Sequence, residues 1–279
     1  MNNENFQYLT DNVKYLGFGE NNKSEIETNL NSGKAEFQVH VKTEINSKAF
    51  EATLNFRKSD STDLYFLNNY HAALNKGNEE KVGQTFYLNK GKGVTAKEAY
   101  NLLDGRAVHK EMSTKEGQSY KAWIKLDTTV TDKNQNYEVK QFHENYGFNL
   151  KEAVSKFAIK ELSDPEKEKA LFQSLQKGNL QSVTIEKDGN SSKMFIEADP
   201  QFKKINMYDL SLKPVIRESL EQYQSAKEQV KNSISQEKTT IDKKKEMKKE
   251  NNPIKEKTEK KTNSLLPKKR ESNKKGLSL

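Results

Sequence analysis

The sequence of 279 residues contains no cysteine. Without thiols, the chain can form neither disulfides nor thiolate metal sites, and it cannot use a cysteine nucleophile. We therefore do not expect a small secreted module held together by disulfides.

Long apolar runs are also missing, since no stretch approaches the roughly 18 apolar residues of a membrane-spanning helix. The first residues, MNNENFQYLT, show no basic segment followed by an apolar run, which is the pattern of a signal peptide. No acylation motif accompanies the lysines. We therefore expect a soluble cytoplasmic protein that makes no membrane contact.

Apolar residues are scarce overall, because hydrophobic residues make up only 32% of the chain and charged residues another 32%. This apolar share is below that of a compact domain, so part of the chain should remain unpacked. The last 49 residues, 231–279, hold 16 basic and 7 acidic residues, a net charge of +9, whereas residues 1–230 hold 32 and 33, a net charge of −1. All of the basic excess therefore lies in the C-terminal segment.

Residues 231–279 consist mainly of Lys, Glu, Asn, Ser and Thr, a composition that cannot bury enough apolar surface to offset the entropy of ordering. We predict a disordered basic tail that contacts the phosphates of DNA or RNA. Alternatively, the tail only maintains solubility, and the interspersed glutamates weaken its field. The candidate contact residues are Lys243, Lys244, Lys245, Lys248, Lys249, Lys268, Lys269, Arg270, Lys274 and Lys275.

Leu-x-x-Gly sequences that end at Gly33, Gly105 and Gly178 lie 72 and 73 residues apart. Each follows a short amphipathic helix pattern, and a glycine in the left-handed conformation is a common helix end. Before Gly105, Thr95 and Glu98 have the spacing of a capping box. The corresponding caps in the other copies are Ser24 with Glu27, and Ser163 or Asp164 before Pro165.

After each of these glycines the hydrophobic period changes from 3.6 to 2, which indicates strands. In the second and third copies a hairpin turn ends at Gly117 and Gly189, whereas the first copy has INSK instead. A third strand-like run follows each pair, and residues 85–88 offer an additional strand. A helix lying across three strands can bury a common core, which neither part can do alone.

We therefore predict an α+β protein built from about three tandem helix-plus-three-strand antiparallel meander modules. The predicted segments are an N-terminal helical segment (1–22), module 1 (23–93), module 2 with a following helix (94–161), module 3 (162–213), a closing helix (214–230) and the tail (231–279). The helix after module 2 has Asn149 and Glu152 as caps and extends to Ile159.

The sequence contains no catalytic motif in a proper context, and we expect no enzyme activity, cofactor or bound metal. The four histidines lack the i, i+4 spacing of a zinc site, so structural or surface roles are expected. NKGKG, residues 89–93, lacks the complete spacing of a phosphate loop and is also typical of an ordinary turn.

Trp123 is predicted to project between Lys121 and Lys125 on the polar face of a strand. An aromatic ring flanked by lysines is typical of base stacking or cation–π recognition, so these residues are candidates for nucleic-acid contact. The alternative is that a helix or a neighbouring module covers this face, with the lysine stems along its edge.

The segments LLDGRAVHKEMSTKEGQSYKAWIKLD, NYEVKQFHENYGFNLKEAV and ADPQFKKINMYD resemble those of proteins of unknown function carried by Bacteroidetes conjugative transposons and related mobile elements. The resemblance extends over about Leu9 to Tyr223, and such proteins often end in lysine-rich tails. It implies an accessory protein of a mobile element and identifies no catalytic residues. The first copy departs from the pattern because it lacks the hairpin glycine.

Two functions are therefore expected from the sequence. The first is a non-enzymatic accessory protein of a mobile genetic element that binds nucleic acid or a nucleic-acid-processing partner, with its tail on phosphates. The second is a protein–protein interaction scaffold without nucleic-acid contact, in which exposed sheet edges recruit a partner by strand addition.

Overall fold

The computed structural model describes residues 2–77, 80–88, 93–114 and 116–232. The helices are α1 (Asn3–Tyr15), α2 (Lys23–Asn31), α3 (Ala96–Leu103), α4 (Leu150–Ser155), α5 (Pro165–Gln176) and α6 (Arg217–Leu220). The strands are β1 (Glu36–Ile45), β2 (Lys48–Lys58), β3 (Tyr65–Asn75), β4 (Lys81–Tyr87), β5 (Val108–Ser113), β6 (Ser119–Thr131), β7 (Tyr137–His143), β8 (Gln181–Lys187), β9 (Asn190–Asp199) and β10 (Lys204–Tyr208).

The strands form three antiparallel sheets, each a meander of consecutive strands. The first sheet contains β1 to β4, the second β5 to β7 and the third β8 to β10. The helices α2, α3 and α5 each precede one sheet, so the predicted α+β class is confirmed. The first sheet has four strands and not the expected three. Its fourth strand, β4, corresponds to the additional strand that the sequence indicated at residues 85–88, but it begins earlier, at Lys81.

Three of the four predicted helix caps form, including Asn149, whose Oδ1 accepts from Glu152 N at 3.1 Å at the start of α4. Glu98 N donates to Thr95 Oγ1 at 3.4 Å and Thr95 N donates to Glu98 Oε2 at 2.8 Å, which completes the capping box of α3. Asp164 accepts from two backbone amides at the start of α5. The box predicted at Ser24 is wrong, because α2 begins at Lys23, and its N-cap is Asn22, which lies two residues before Ser24 and makes no side-chain capping bond.

The five glycines predicted to end helices or hairpins all have positive φ. The values are 68° at Gly33, 91° at Gly105, 86° at Gly117, 77° at Gly178 and 75° at Gly189. In the first hairpin, Asn46 and Ser47 take this role with φ of 51° and 59°. Two consecutive left-handed residues form the tight turn that matches the twist of paired strands, so this hairpin does not need a glycine.

The second sheet lies between two hydrophobic cores. Ile124 and Leu126 of β6 join the core that contains α1, α3 and the first sheet, whereas Trp123 joins the core built around α4, α5 and the third sheet. Successive side chains of a strand point to opposite faces, so one strand can supply both cores. Residues Met1–Lys231 consequently form one compact unit.

Two predicted helices are shorter than expected. α4 ends at Ser155, and Phe157 and Ile159 instead form isolated bridges with Gln224 and Ile185. The closing helix predicted over 214–230 is wrong. α6 spans only Arg217–Leu220, a 3-10 turn covers Glu221–Tyr223, and residues 226–232 are helical.

The interruption of the closing helix has a tertiary cause. Ala158 N donates to Tyr223 O at 3.0 Å, and Ser225 N donates to Lys156 O at 2.8 Å. Extended backbone at Gln224 is needed for this pairing, and a helix would instead direct these groups along its axis. Two backbone hydrogen bonds to a distant segment therefore replace the local helical pattern.

No helix in the described part of the chain is both long and apolar enough to cross a bilayer. The predicted tail lies outside the described residues from residue 233 onward. Asn89 to Lys92 of the glycine-rich turn also lie outside them.

Candidate functional site

Trp123 is 6% exposed and forms part of a hydrophobic core. Its indole ring contacts Phe148 edge-on at a centroid distance of 5.5 Å, and His109 lies 5.2 Å away. A base cannot stack on an indole that other side chains already cover. The face of β6 that carries Trp123 is therefore covered, as the alternative interpretation of the sequence predicted.

The two lysines beside Trp123 lie in different environments. Lys121 is exposed, whereas Lys125 is partly buried and its Nζ is 4.0 Å from Oδ1 of the buried Asp199. Lys125 is therefore at the outer limit of ion-pair distance from this carboxylate, and Asp199 Oδ1 accepts no hydrogen bond from the described residues. The ten basic residues proposed for the tail lie outside the described residues.

The histidines form no cluster, although His109 and His143 both line one groove of the second sheet. His40 and His71 lie on the first sheet, where their Nδ1 atoms are 3.1 Å and 3.2 Å from the hydroxyls of Thr53 and Thr85. In the second sheet, His109 pairs with Trp123, whereas His143 pairs with Ala122, so the two histidines point to opposite faces. The described residues contain no group of three or more His, Asp or Glu side chains that could hold a metal ion.

An aromatic groove of about 610 Å³ opens beside Trp123 and is lined by Lys121, His109, Phe142 and Phe148. Burial, followed by the charge of Lys121, lowers the pKa of His109, while Glu144 opposes this shift. A histidine with a lowered pKa is neutral at pH 7. The groove therefore combines aromatic surface and a neutral His109 with charges of both signs, from Lys121, Lys151 and Glu144 in its lining.

A larger groove of about 860 Å³ lies where the first sheet, the end of α1 and the start of α3 meet. We call it the lysine groove. Its lining includes Tyr15, Lys42, Lys97, Lys177 and Asn179, together with the loop that contains Gly17 and Gly19. Its volume is in the range of about 300–1,000 Å³ that is usual for ligand clefts.

A buried polar network joins the C-terminal end of α3, whose first turn carries Lys97, to the end of α5, where Lys177 is the C-cap. Asn101 Nδ2 donates to Lys177 O at 2.7 Å and to Asn179 Oδ1 at 2.9 Å. Arg106 Nε donates to Gly178 O at 2.9 Å, and one Arg106 Nη donates to Asn101 Oδ1 at 2.8 Å. The Leu-x-x-Gly ends of modules 2 and 3 are thus in direct contact.

This network explains why the two lysines share one groove. Lys97 and Asn101 are four residues apart on α3, a spacing that brings side chains to the same helix face. Asn101 anchors the end of α5, where Lys177 is the C-cap. A residue of module 2 and a residue of module 3 therefore line the same surface.

The acids around the lysine groove are already paired. Glu98 accepts from Lys110 Nζ at 2.9 Å and from the Thr95 backbone amide. Asp104 pairs with Arg106 and, at 2.6 Å, with Lys48. Among the residues that the structure describes, no carboxylate lies within ion-pair distance of Nζ of Lys97 or Lys177.

Two cations lie close together at Lys97, because Lys97 Nζ and the Arg106 guanidinium both lie over the Tyr100 ring, 4.7 Å and 5.4 Å from its centroid. Burial and then the charge of Arg106 lower the pKa of Lys97, while Asp104 opposes the shift. A neighbouring cation lowers a lysine pKa only where positive charge accumulates. An anionic ligand would relieve this repulsion.

The outer face of the first sheet carries a ladder of polar side chains. Gln38 Nε2 donates to Asn55 Oδ1 at 2.9 Å, and Asn55 Nδ2 donates to Asn69 Oδ1 at 2.7 Å. The next row contains His40, Thr53, His71 and Thr85 on four successive strands. Side chains of this kind both donate and accept hydrogen bonds, so the face suits polar partners.

One edge of this sheet is open, because β1 pairs only with β2. Lys58 N donates to Ala35 O at 2.8 Å, so residue 35 forms a hydrogen-bonded pair with residue 58. In an antiparallel pair, every second residue of a strand is bonded to the neighbouring strand in this way. Backbone groups of odd-numbered residues of β1 therefore face β2, and those of even-numbered residues point outward. No strand in the described part of the chain pairs with this edge.

Comparisons with known proteins identify no relative: no family model, curated protein or solved structure matches the chain.

No pattern in the sequence indicated the lysine groove. Tyr15, Lys97 and Lys177 belong to three separate helix ends, and none lies in a motif that specifies a ligand. The only sequence signal was the pair of Leu-x-x-Gly ends, which indicated where α3 and α5 end but not that these ends touch.

Proposed function

We propose that the protein is a non-enzymatic, nucleic-acid-binding accessory protein of a mobile genetic element, whose basic tail contacts phosphates. The observation that carries this proposal is the segregation of charge. Residues 231–279 have a net charge of +9, whereas residues 1–230 are nearly neutral at −1. A concentrated cationic segment attached to a neutral body is suited to polyanions.

The physical mechanism is counterion release. Each lysine or arginine that neutralises a phosphate releases a condensed cation, so affinity falls steeply with salt. Such contacts need no fixed geometry, because the phosphates form a continuous line of charge. The tail would therefore supply affinity without sequence specificity. The proposed setting on a mobile element is supported by the resemblance of the segments between Leu9 and Tyr223.

The proposal is tested with the full chain and a tail variant. The variant changes the ten candidate tail residues to Gln, which removes ten positive charges and takes residues 231–279 from +9 to −1. Binding to a fluorescent oligonucleotide is followed by anisotropy between about 50 and 200 mM salt. We expect weaker binding and a slope of log K against log salt that is shallower by about 0.7 for each phosphate of the single strand that the variant no longer neutralises.

The matched control replaces the nine tail lysines of the same set with Arg, which keeps every charge. This control should retain the affinity and the salt slope of the unmodified chain. Equal binding by the unmodified chain and the Gln variant would show that the tail does not contact phosphates.

A second candidate function, a protein interaction scaffold, is favoured by the open edge of β1. A partner strand can pair with the outward backbone groups of Gln38 and its even-numbered neighbours. Gln38→Pro removes an outward amide, which edge strands tolerate, whereas Val39→Pro removes an amide that faces β2. After nuclease treatment, a partner should bind the unmodified chain but not the stably folded Gln38→Pro variant. Partners that disappear with the nucleic acid favour the first proposal instead.

A further inference from the structure

We propose that the lysine groove is a binding site for single-stranded nucleic acid, with phosphates at Lys97 and Lys177 and a base stacked on Tyr15. This inference rests on the proposed nucleic-acid binding and adds a second contact surface on the folded body. It assigns to this groove a role separate from that of the tail.

Charge complementarity is the first argument. The groove is lined by three lysines, Lys42, Lys97 and Lys177, and by one acid, Glu98, whose carboxylate is occupied by Lys110 and the capping box. Lys42 shares Glu51 with Lys81, at 3.6 Å and 2.9 Å respectively. The groove is therefore net positive although residues 1–230 are nearly neutral.

The second argument is that the charged positions are held in place. Lys177 is the C-cap of α5 and its carbonyl is bonded to the buried Asn101 side chain, while Lys97 lies in the first turn of the capped α3. The backbones that carry both lysines are therefore fixed relative to one another by the network around Asn101 and Arg106. A backbone that is already ordered reduces the entropy lost on binding.

The exposed ring of Tyr15 is the third argument. Tyr15 ends α1, lines the lysine groove and is 79% exposed, in contrast to the covered Trp123. A smaller cavity of about 290 Å³ shares Tyr15, Leu16 and Thr95 with the groove, so the concave surface continues past the ring. An exposed aromatic ring next to lysines is the arrangement that binds unpaired bases.

The loop between α1 and α2 adds hydrogen-bonding groups to the lining of the lysine groove. Gly17 and Gly19 both have positive φ, and no atom lies within 4 Å of the position of a Cβ on Gly19. Asn21 and Asn22 also line the groove. Side-chain amides can both donate to phosphate and accept from base edges.

The same residues favour a single strand over a duplex. Stacking on Tyr15 requires a base that is free of its partner strand, and a paired duplex hides its base faces. The aromatic groove is a weaker candidate, because Trp123 at its base is covered and Lys151 at its edge pairs with Glu168 at 2.9 Å.

The test uses the full chain and a fluorescent oligothymidylate of about 12 nucleotides, within the site sizes usual for single strands. The groove variant is Lys97→Gln/Lys177→Gln. The matched control is Lys169→Gln/Lys193→Gln, two exposed lysines outside the grooves described above. Removing two lysines that neutralise phosphates should weaken binding about 25-fold at 0.1 M salt and make the salt slope shallower by about 1.4. The control should change neither quantity appreciably.

Tyr15 provides an independent readout. Tyr15→Ala should weaken binding about fivefold or more with an unchanged salt slope, because stacking involves no counterions. Tyr15→Phe should retain affinity, because it keeps the aromatic face. A thermal unfolding curve for each variant verifies that the fold is retained, which the high exposure of these side chains predicts.

The outcomes separate this inference from the proposed function. Equal weakening in the groove variant and the control overturns the groove as a site. An unchanged groove variant, together with loss of binding in the tail variant, also overturns it while the proposed function stands. If the unmodified full chain does not bind the oligonucleotide at low salt, both proposals fail. A duplex competitor that displaces the single strand from the groove variant and the unmodified chain alike contradicts the preference for single strands.

Discussion

Replacing Gly178 with Ala should destabilise the protein more than the same change at Gly33 or Gly105, the corresponding helix-end glycines. Gly178 has a φ of 77°, and a Cβ there would lie 2.7 Å from Ala107 O and 2.9 Å from Val108 Cγ2. Neither atom can move easily, because Val108 is fully buried and pairs with Ile124 across the second sheet.

The expected loss in the free energy of unfolding of Gly178→Ala has two parts. A residue with a Cβ in the left-handed region costs about 1–2 kcal/mol. The overlap with Ala107 and Val108 adds about 1–3 kcal/mol of overpacking. The expected loss for Gly178→Ala is therefore about 2–5 kcal/mol.

Gly33→Ala and Gly105→Ala are the matched controls. Both glycines have positive φ, but no atom lies within 4 Å of a Cβ at either position. These variants should lose only the conformational part, about 1–2 kcal/mol.

The assay is urea unfolding followed by the fluorescence of Trp123, the only tryptophan in the chain. In a thermal unfolding experiment, each kcal/mol lowers the Tm of a domain of this size by about 2–4 °C. The Tm of Gly178→Ala should therefore lie about 4–20 °C below that of the unmodified protein. Equal losses for the three variants would refute the close packing of the two helix ends.

Three further predictions test the description of the body. The fluorescence of Trp123 should be weakly quenched by acrylamide, because the indole is 6% exposed, and strong quenching would contradict its burial. His109 should titrate below the usual 6.5 in NMR, because burial and Lys121 lower its pKa. Neutral His109 then contributes fully to the free energy of unfolding above pH 6.5, and this contribution is lost as the pH falls further. His109→Gln should therefore flatten the pH dependence of the free energy of unfolding below pH 6.5. Arg106→Met should cost about 3–5 kcal/mol in urea unfolding because it breaks the buried network with Asn101, and a loss below about 1 kcal/mol would argue against that network.

Local signals predicted much of the fold correctly. The capping box at Thr95, the cap at Asp164 and the glycine helix ends depend on interactions within a few residues, which a sequence displays directly. The alternation along β6 likewise predicted which side chains face which side. Hairpins between consecutive strands need no long-range information, so the three meanders could be recognised.

The errors arose where distant segments interact. The closing helix has a suitable apolar pattern, yet backbone hydrogen bonds between Tyr223, Ser225 and residues 156–158 interrupt it. α4 stops early for the same reason, since Phe157 and Ile159 enter bridges. Propensity is a weak preference, and such tertiary hydrogen bonds override it.

The sequence by itself determined the class of fold, the order of helices and strands, and the separation of a basic C-terminal segment from a neutral body, because these depend on periodicity, caps and composition. Only the tertiary structure decided that Trp123 is covered and that Tyr15, Lys97 and Lys177 share one groove. Lys97 and Lys177 are brought together by the contact between two helix ends more than 70 residues apart, which is made by Asn101, Arg106 and Gly178. The end of α1 next to Tyr15 is joined to the start of α3 by the bond from Ala96 N to Leu16 O, 2.8 Å. Such a contact depends on the packing of complete modules, and no local pattern encodes it.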